Sequence, residues 1–394
     1  MAHDRERRML LAGIGAAGAL AIARTARAAG CGDAGPLGPT GPTMRDLSSK
    51  IAPDEEAVGE ARKAITGCPS TVTAQFSITE EGVYYMTGNI DGESGKACIE
   101  ILCDNVEIEC DGFLFRGVPG TLECIRTPSA QQCIGIYDAG FVDWQHTCID
   151  LSNSAYCYCE ELWFHRCDSS SNPLGLGAAT LGAAGTFDDC SVLACTHGRL
   201  AAGRDSIFEE CAVVDSTGGG LYSPGPCTME DNFVLNNDGT GMELGAAGGV
   251  IINSRVCSCP IGLYVSSTSG QHSSVVAEND ISDCVTGVEI AASDVTLEEN
   301  YVGRCTKAII ISGSATRVIV DDNHCPGSSS TAITLENTTS RCLVICNAVA
   351  TPPGVPGYAL SGANSWGPIV SAVGVGDITA STGTSSDPHT NFEH

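Results

Sequence analysis

The sequence predicts an all-β chain: a parallel β-helix solenoid of roughly eleven coils with an N-terminal cap, each coil rising about 4.8 Å. Three observations predict it. A tetrapeptide recurs: FDDC (187–190), FEEC (208–211), MEDN (229–232), VIIN (250–253), VAEN (276–279), LEEN (297–300), VDDN (320–323) and LVIC (343–346), with FHRC (164–167) upstream. Its fourth residues are 21–26 apart, a solenoid period too short for paired helices. The intervening runs are short, alternating and rich in Val, Ile, Ser, Thr and Gly, with no sustained helical period. Leucine-rich repeats share the period, but their fixed leucines and helical half are missing.

Each position of the repeat has a physical reason. The first residue, from Phe164 and Phe187 through Phe208 and Met229 to Val320 and Leu343, is large and apolar and points inward. The fourth is Cys or Asn at a corner, where Asn adopts the left-handed conformation and stacks amide on amide. Five residues on, a second small or amide column runs through Cys195, Ser216, Asn237, Cys284 and Cys305. Glycines just beyond, as in Gly220-Leu221 and Gly262-Leu263, permit tight turns.

Flanking segments complete the organisation. Residues 1–28 read as an export signal: Arg7-Arg8 before an apolar Gly/Ala run, then Ala26-Arg27-Ala28 as a small-x-small cleavage site. The paired arginines suit a twin-arginine signal, whose cargo crosses folded. AAGC (28–31) gives the alternative of a lipid anchor on Cys31. No later apolar run reaches membrane length. Residues 29–43 are a Gly/Pro linker, 44–97 the cap, 98–362 the β-helix and 363–394 a C-terminal tail. Within the cap, 53–67 carries the signals of a short helix.

A formal charge of −27 over 394 residues sets aside nucleic acid and anionic membranes as partners. An anionic polysaccharide would need a bridging cation. An apolar content of 43% supports a sizeable core.

Four groups of residues are candidates for chemistry. The acids before the corner form a ridge: Asp188, Asp189, Glu209, Glu210, Glu230, Asp231, Glu278, Glu298, Glu299, Asp321 and Asp322. The ridge is either a solvated edge or a stripe for a hard cation such as Ca²⁺. It breaks at Ile251/Ile252 and Val344/Ile345. His197 with Asp188 and Asp189 is the one constellation resembling an acid–base site. Tyr137, Trp144 and Trp163 are candidate sugar platforms, against a reading as core aromatics. The 22 cysteines contain no C-x-x-C pair. They read as stacked core thiols, with few bridges between coils and some in loops.

EEGVYYMTGNIDGESGKACIEILCDNVEIECDGFLFRGVPG (80–120) resembles the N-terminal signature of exported bacterial right-handed β-helix repeat proteins. NSWGPIVSAVGVGDITASTGTSSDPHTNFEH (364–394) resembles the ending of the same group. The chain departs from that group with Cys98, Cys103, Cys110 and Cys124 where Ala, Gly or Asn is common. The resemblance implies right-handedness and the pectin-lyase-like superfamily. The group has no assigned reaction, so no catalytic residue carries over. Three readings follow: a non-catalytic or glycan-binding protein of the cell envelope or exterior, a carbohydrate-active lyase or hydrolase, and a cation-dependent surface or adhesion protein.

Overall fold

The computed structural model describes residues 62–169, 177–245, 248–266, 273–372, 378–380 and 389–393. The export signal, the linker, Cys31 and most of the expected helix lie outside these. Among the described residues, three sheets of 14, 15 and 13 strands run the length of the molecule, here called A, C and B. Each strand pairs in parallel with its equivalent one coil away, as Thr186–Asp188 does with Ser206–Glu209. Among the described residues the one antiparallel pair joins Ile369–Ala372 to Ile378–Ala380 in the tail.

The solenoid has about thirteen coils rather than eleven, because the sheets start before residue 98 and continue past 362. Lys63–Ala64 opens sheet A and Ala74–Ile78 opens sheet B. Lys63–Ala64 is therefore strand where the sequence predicts helix, and Ile65–Gly67 is a single 3₁₀ turn. Strand pairing across the coil outweighs the local helix signals there.

The inward column of sheet A is Ile136, Cys159, Phe187, Phe208, Met229, Ile251, Val276, Leu297, Val320 and Val344, each at most 1% exposed. Two tetrapeptides are therefore offset by one residue. Ile251 and Val344, not Val250 and Leu343, occupy the core position, because parallel pairing fixes which alternate residues face inward. FHRC belongs to another sheet altogether: Phe164 pairs with Val192 on sheet C and stacks on Phe141 at 4.9 Å. Cys167 accordingly lies beside Cys195, whose sulfur accepts its backbone N–H at 3.3 Å.

The corners correct a second expectation. In most repeats the left-handed residue is the acid before the Cys or Asn, with φ 47° at Asp189, 50° at Glu210, 56° at Glu299 and 49° at Asp322, while in the offset VIIN it is Asn253 itself, at 51°. The next residue then points inward, and there the Asn column forms. Asn279, Asn300, Asn323 and Asn347 each donate from Nδ2 to the Oδ1 of the next member, at 2.9–3.2 Å, ending on Asn391. Cys190, Cys211 and Ser254 continue this column toward the N-terminus. None of the 21 cysteines among the described residues is joined in a disulfide, so the expected loop disulfides are absent there. Neighbouring thiols share one inward direction, which suits contact better than a bridge.

Candidate functional site

The predicted site residues fall on different faces. Asp188, Glu209 and Glu230 end successive strands of sheet A, half-buried and outward, in register with Glu160 and Tyr137. Glu298 and Asp321 continue this column after an apolar break at Ile252 and Ala277. Asp189, Glu210, Asp231, Glu278, Glu299 and Asp322 form the adjacent corner column. These carboxylates run parallel at coil spacing instead of converging. Among the described residues, no group of three or more His, Cys, Asp or Glu side chains is arranged to hold a metal ion.

The crowding still tells on the acids. Burial, then the charges of Asp188 and Glu230, push the Glu209 carboxyl above its usual range. Tyr158 donates to Asp188 Oδ2 at 2.8 Å, and its ring lies 5.9 Å from that of Tyr137. Burial first, and then the bond to Asp188, drive the Tyr158 phenol well up.

His197 is exposed and lies beyond the next strand, Ser191–Leu193, at the far corner of the coil from Asp188 and Asp189. Intervening sheet C thus separates the proposed base from its acids. Trp144 is fully buried and donates Nε1–H to Leu122 O at 2.7 Å, so it offers no sugar platform. Trp163 is half-buried on the outer face of sheet C, laid over Gly140, where a Cβ would meet the indole at 2.4 Å. Of the three predicted platforms, Tyr137 and Trp163 face outward, on separate sheets.

The densest set of mixed side chains is one the tetrapeptides do not reveal. On the outer face of sheet C, Phe233, Arg255, Asp280, Tyr301 and His324 stand in consecutive register, one per coil. Arg255 Nε lies 3.5 Å from Asp280 Oδ2. Among the described residues its Nε–H and Nη2–H find no acceptor at hydrogen-bonding geometry, nor does the hydroxyl of Ser282, which is 1% exposed. Buried donors of this kind are uncommon in native proteins. Burial pushes the Asp280 carboxyl above its usual range, while Arg255 and Arg304 pull it back. Tyr301 lies over Gly303 and meets His324 edge-on at 5.5 Å. Arg304 closes the rim through two bonds to Asp283, at 2.8 and 2.7 Å.

This column joins donors, an acceptor, an imidazole and two half-buried aromatic rings on a rigid sheet. Hydroxyl-rich ligands need that mixture, since each hydroxyl both donates and accepts. The signal was present in the sequence one residue past the corner: Asn232-Phe233, Ser254-Arg255, Asn279-Asp280, Asn300-Tyr301 and Asn323-His324. Neither this face nor the rest of the described chain contains a helix long and apolar enough to cross a membrane.

Comparison with curated proteins finds no match. Among solved structures, the A-module of Azotobacter vinelandii mannuronan C-5 epimerase AlgE6 is similar at 15% identity and a TM-score of 0.43, over 73% of this chain and 89% of that one. A tailspike protein of E. coli bacteriophage HK620, in complex with a pentasaccharide, gives 14% and 0.41, over 75% and 60%. The periplasmic alginate epimerase AlgG gives 9% and 0.36, over 78% and 84%. Residues 177–349 match the family model described as right handed beta helix region. The three parallel sheets extend that architecture to both sides of the matched segment, and the described residues fold as a right-handed parallel β-helix.

Proposed function

We propose that this chain is an exported β-helix protein of the cell envelope or exterior that binds a glycan along the outer face of sheet C. The observation that carries the reading is the column from Phe233 to His324, with the buried donors of Arg255 and Ser282 beside Asp280. A saccharide lying along the axis would meet a new side chain about every 4.8 Å. Its ring faces would pack on Phe233 and Tyr301, and its hydroxyls would bond the outward Asp280, Tyr301 and His324. Export rests on the signal read in residues 1–28, including the alternative anchor at Cys31.

A second reading is a carbohydrate-active enzyme, lyase or hydrolase. It is favoured by an acid whose carboxyl burial raises above its usual range, Asp280, on the same face as a candidate base, His324. Asp188, Asp189 and His197 do not serve it, being split between corners. The cation-dependent surface or adhesion reading, with Ca²⁺ on the acidic ridge, finds no converging ligand set among the described residues.

Affinity electrophoresis against a panel of soluble polysaccharides tests the proposal. At least one glycan should retard the protein, and Tyr301→Ala and Arg255→Ala should each weaken that binding about tenfold, or 1.4 kcal/mol. Binding indifferent to both substitutions, or no retardation across the panel, would remove sheet C as the site. Product release from a retained glycan, lost in Asp280→Asn, would favour the enzyme.

A further inference from the structure

Sheet B carries an outward column unused by the reading above. Tyr222, Glu243, Tyr264 and Glu289 follow one another in register, one per coil, all half-buried. The N-terminal part of the column shows how it treats a cation. The Arg199 guanidinium lies over the Tyr222 ring, 4.5 Å from its centroid, within electrostatic reach of Glu243. The ring face holds a positive group there, with the carboxylate near enough to feel it, as expected where both are partly desolvated.

Tyr264 repeats the arrangement with a carboxylate on each side. Glu243 precedes it and Glu289 follows it, each about 4.8 Å away along the ladder. Glu289 accepts from Ser312 at 3.1 Å, which fixes one oxygen and leaves the other for a further donor. No Lys or Arg occupies the outward column within one coil of Tyr264: the next residue is Ile310, and Lys307 sits at the start of that strand opposite Thr286. The acidic ridge of sheet A differs, since its carboxylates have no ring that already carries a cation.

We propose that Glu243, Tyr264 and Glu289 form a binding site for an alkylammonium group, as borne by an amino sugar or a polyamine. The ammonium would lie over the Tyr264 ring and donate to both carboxylates, with its third donor left to water or to the ligand. The site is independent of sheet C and stands or falls separately.

Isothermal titration of the whole protein with glucosamine hexasaccharide, its fully N-acetylated counterpart and spermidine tests the assignment. The expected result is amine-bearing probes binding at least tenfold more tightly than the N-acetylated one. Glu243→Gln and Glu289→Gln should each lose about tenfold, Tyr264→Leu should lose as much, and Tyr264→Phe should keep the affinity. Tighter binding of the hexasaccharide than of spermidine would assign the source to an amino sugar; the reverse would assign it to a free polyamine. Equal binding of the N-acetylated hexamer overturns the ammonium site. So does amine binding unchanged in all four variants, which would be attraction to the acidic chain as a whole. Melting curves check that each variant is folded, and these outward side chains leave the core untouched.

Discussion

Arg255 and Asp280 face each other across one coil step of sheet C, with Nε 3.5 Å from Oδ2. Burial raises the Asp280 carboxyl, and Arg255 is the first of the charges that oppose it. A carboxyl raised in the folded state binds its proton more tightly there than in the unfolded chain. Its ionised form therefore costs stability above the folded pKa, and the cost fades as pH falls toward the unfolded value of about 3.9. Arg255→Ala should destabilise by about 1–3 kcal/mol at pH 7 and by distinctly less at pH 4. Urea midpoints at the two pH values decide it, and equal losses would show that the pair is not coupled.

Glu209 obeys the same sign, with like charges adding to burial instead of opposing it. Burial comes first, then repulsion by Asp188 and Glu230 across the ladder. Glu209→Gln should raise the melting temperature at pH 7 by on the order of a degree, after allowing for solvent screening. The gain should vanish once the neighbouring carboxylates are protonated, a comparison calorimetry makes directly.

Asn300 is the middle of the amide ladder. It donates to Val276 O, Glu298 O and Asn323 Oδ1 at 2.8–3.0 Å and accepts from Asn279. Asn300→Ala strands several buried partners and should cost on the order of 3 kcal/mol in urea unfolding. Asn300→Ser should cost less, since Ser254 already fills the same column and accepts the Asn232 N–H at 3.1 Å.

The thiols divide by burial. Cys133 is exposed and Cys68, Cys103 and Cys346 are partly so, while the other 17 described thiols are buried. Burial drives the Cys110, Cys159 and Cys325 thiols well up, which further starves them of thiolate. Iodoacetamide labelling read by mass spectrometry should modify Cys133 first and reach the buried set only on unfolding. Early labelling of Cys159 would contradict the packing.

Gly140 makes room for Trp163. A Cβ there would lie 2.4 Å from the indole and 2.7 Å from Leu114. Gly140→Ala should lift the ring off sheet C and shift its fluorescence to longer wavelength, read as the difference from a Trp163→Phe control that retains buried Trp144 and exposed Trp366. An unchanged spectrum would mean the ring rests elsewhere.

The period and the inward residue were legible in the sequence because burial enforces both: Phe187, Phe208, Met229 and Leu297 all sit where the repeat placed them. Register was not. VIIN and LVIC matched the anchor letters while Ile251 and Val344 took the core position, since an Asn can stand on either side of the corner. FHRC matched by composition, yet Phe164 packs in a different sheet. Missing the true register hid the column from Phe233 to His324, which is plain only once corners are aligned. Trp144 was ambiguous for a related reason: its place at a corner turns the ring inward. No local signal joined His197 to its acids except nearness in the chain, and a solenoid puts sequence neighbours on different walls.

The amide ladder closes on Asn391, 44 residues beyond Asn347, whereas the preceding steps span 21–24. Phe392 pairs with Ala348 beneath it, and Glu393 accepts the Gly357 N–H at 2.8 Å. During synthesis, each earlier coil can settle on its predecessor as soon as it emerges. The final rung cannot, because its amide arrives only after the intervening tail. Until then the Asn347 backbone N–H lacks its Asn391 acceptor and the strand edge beside it is unpaired, the kind of template that another growing chain could capture. The tail thus sets a waiting time on maturation, and the ribosome, by its pace through residues 348–391, governs how long the unfinished end stays sticky.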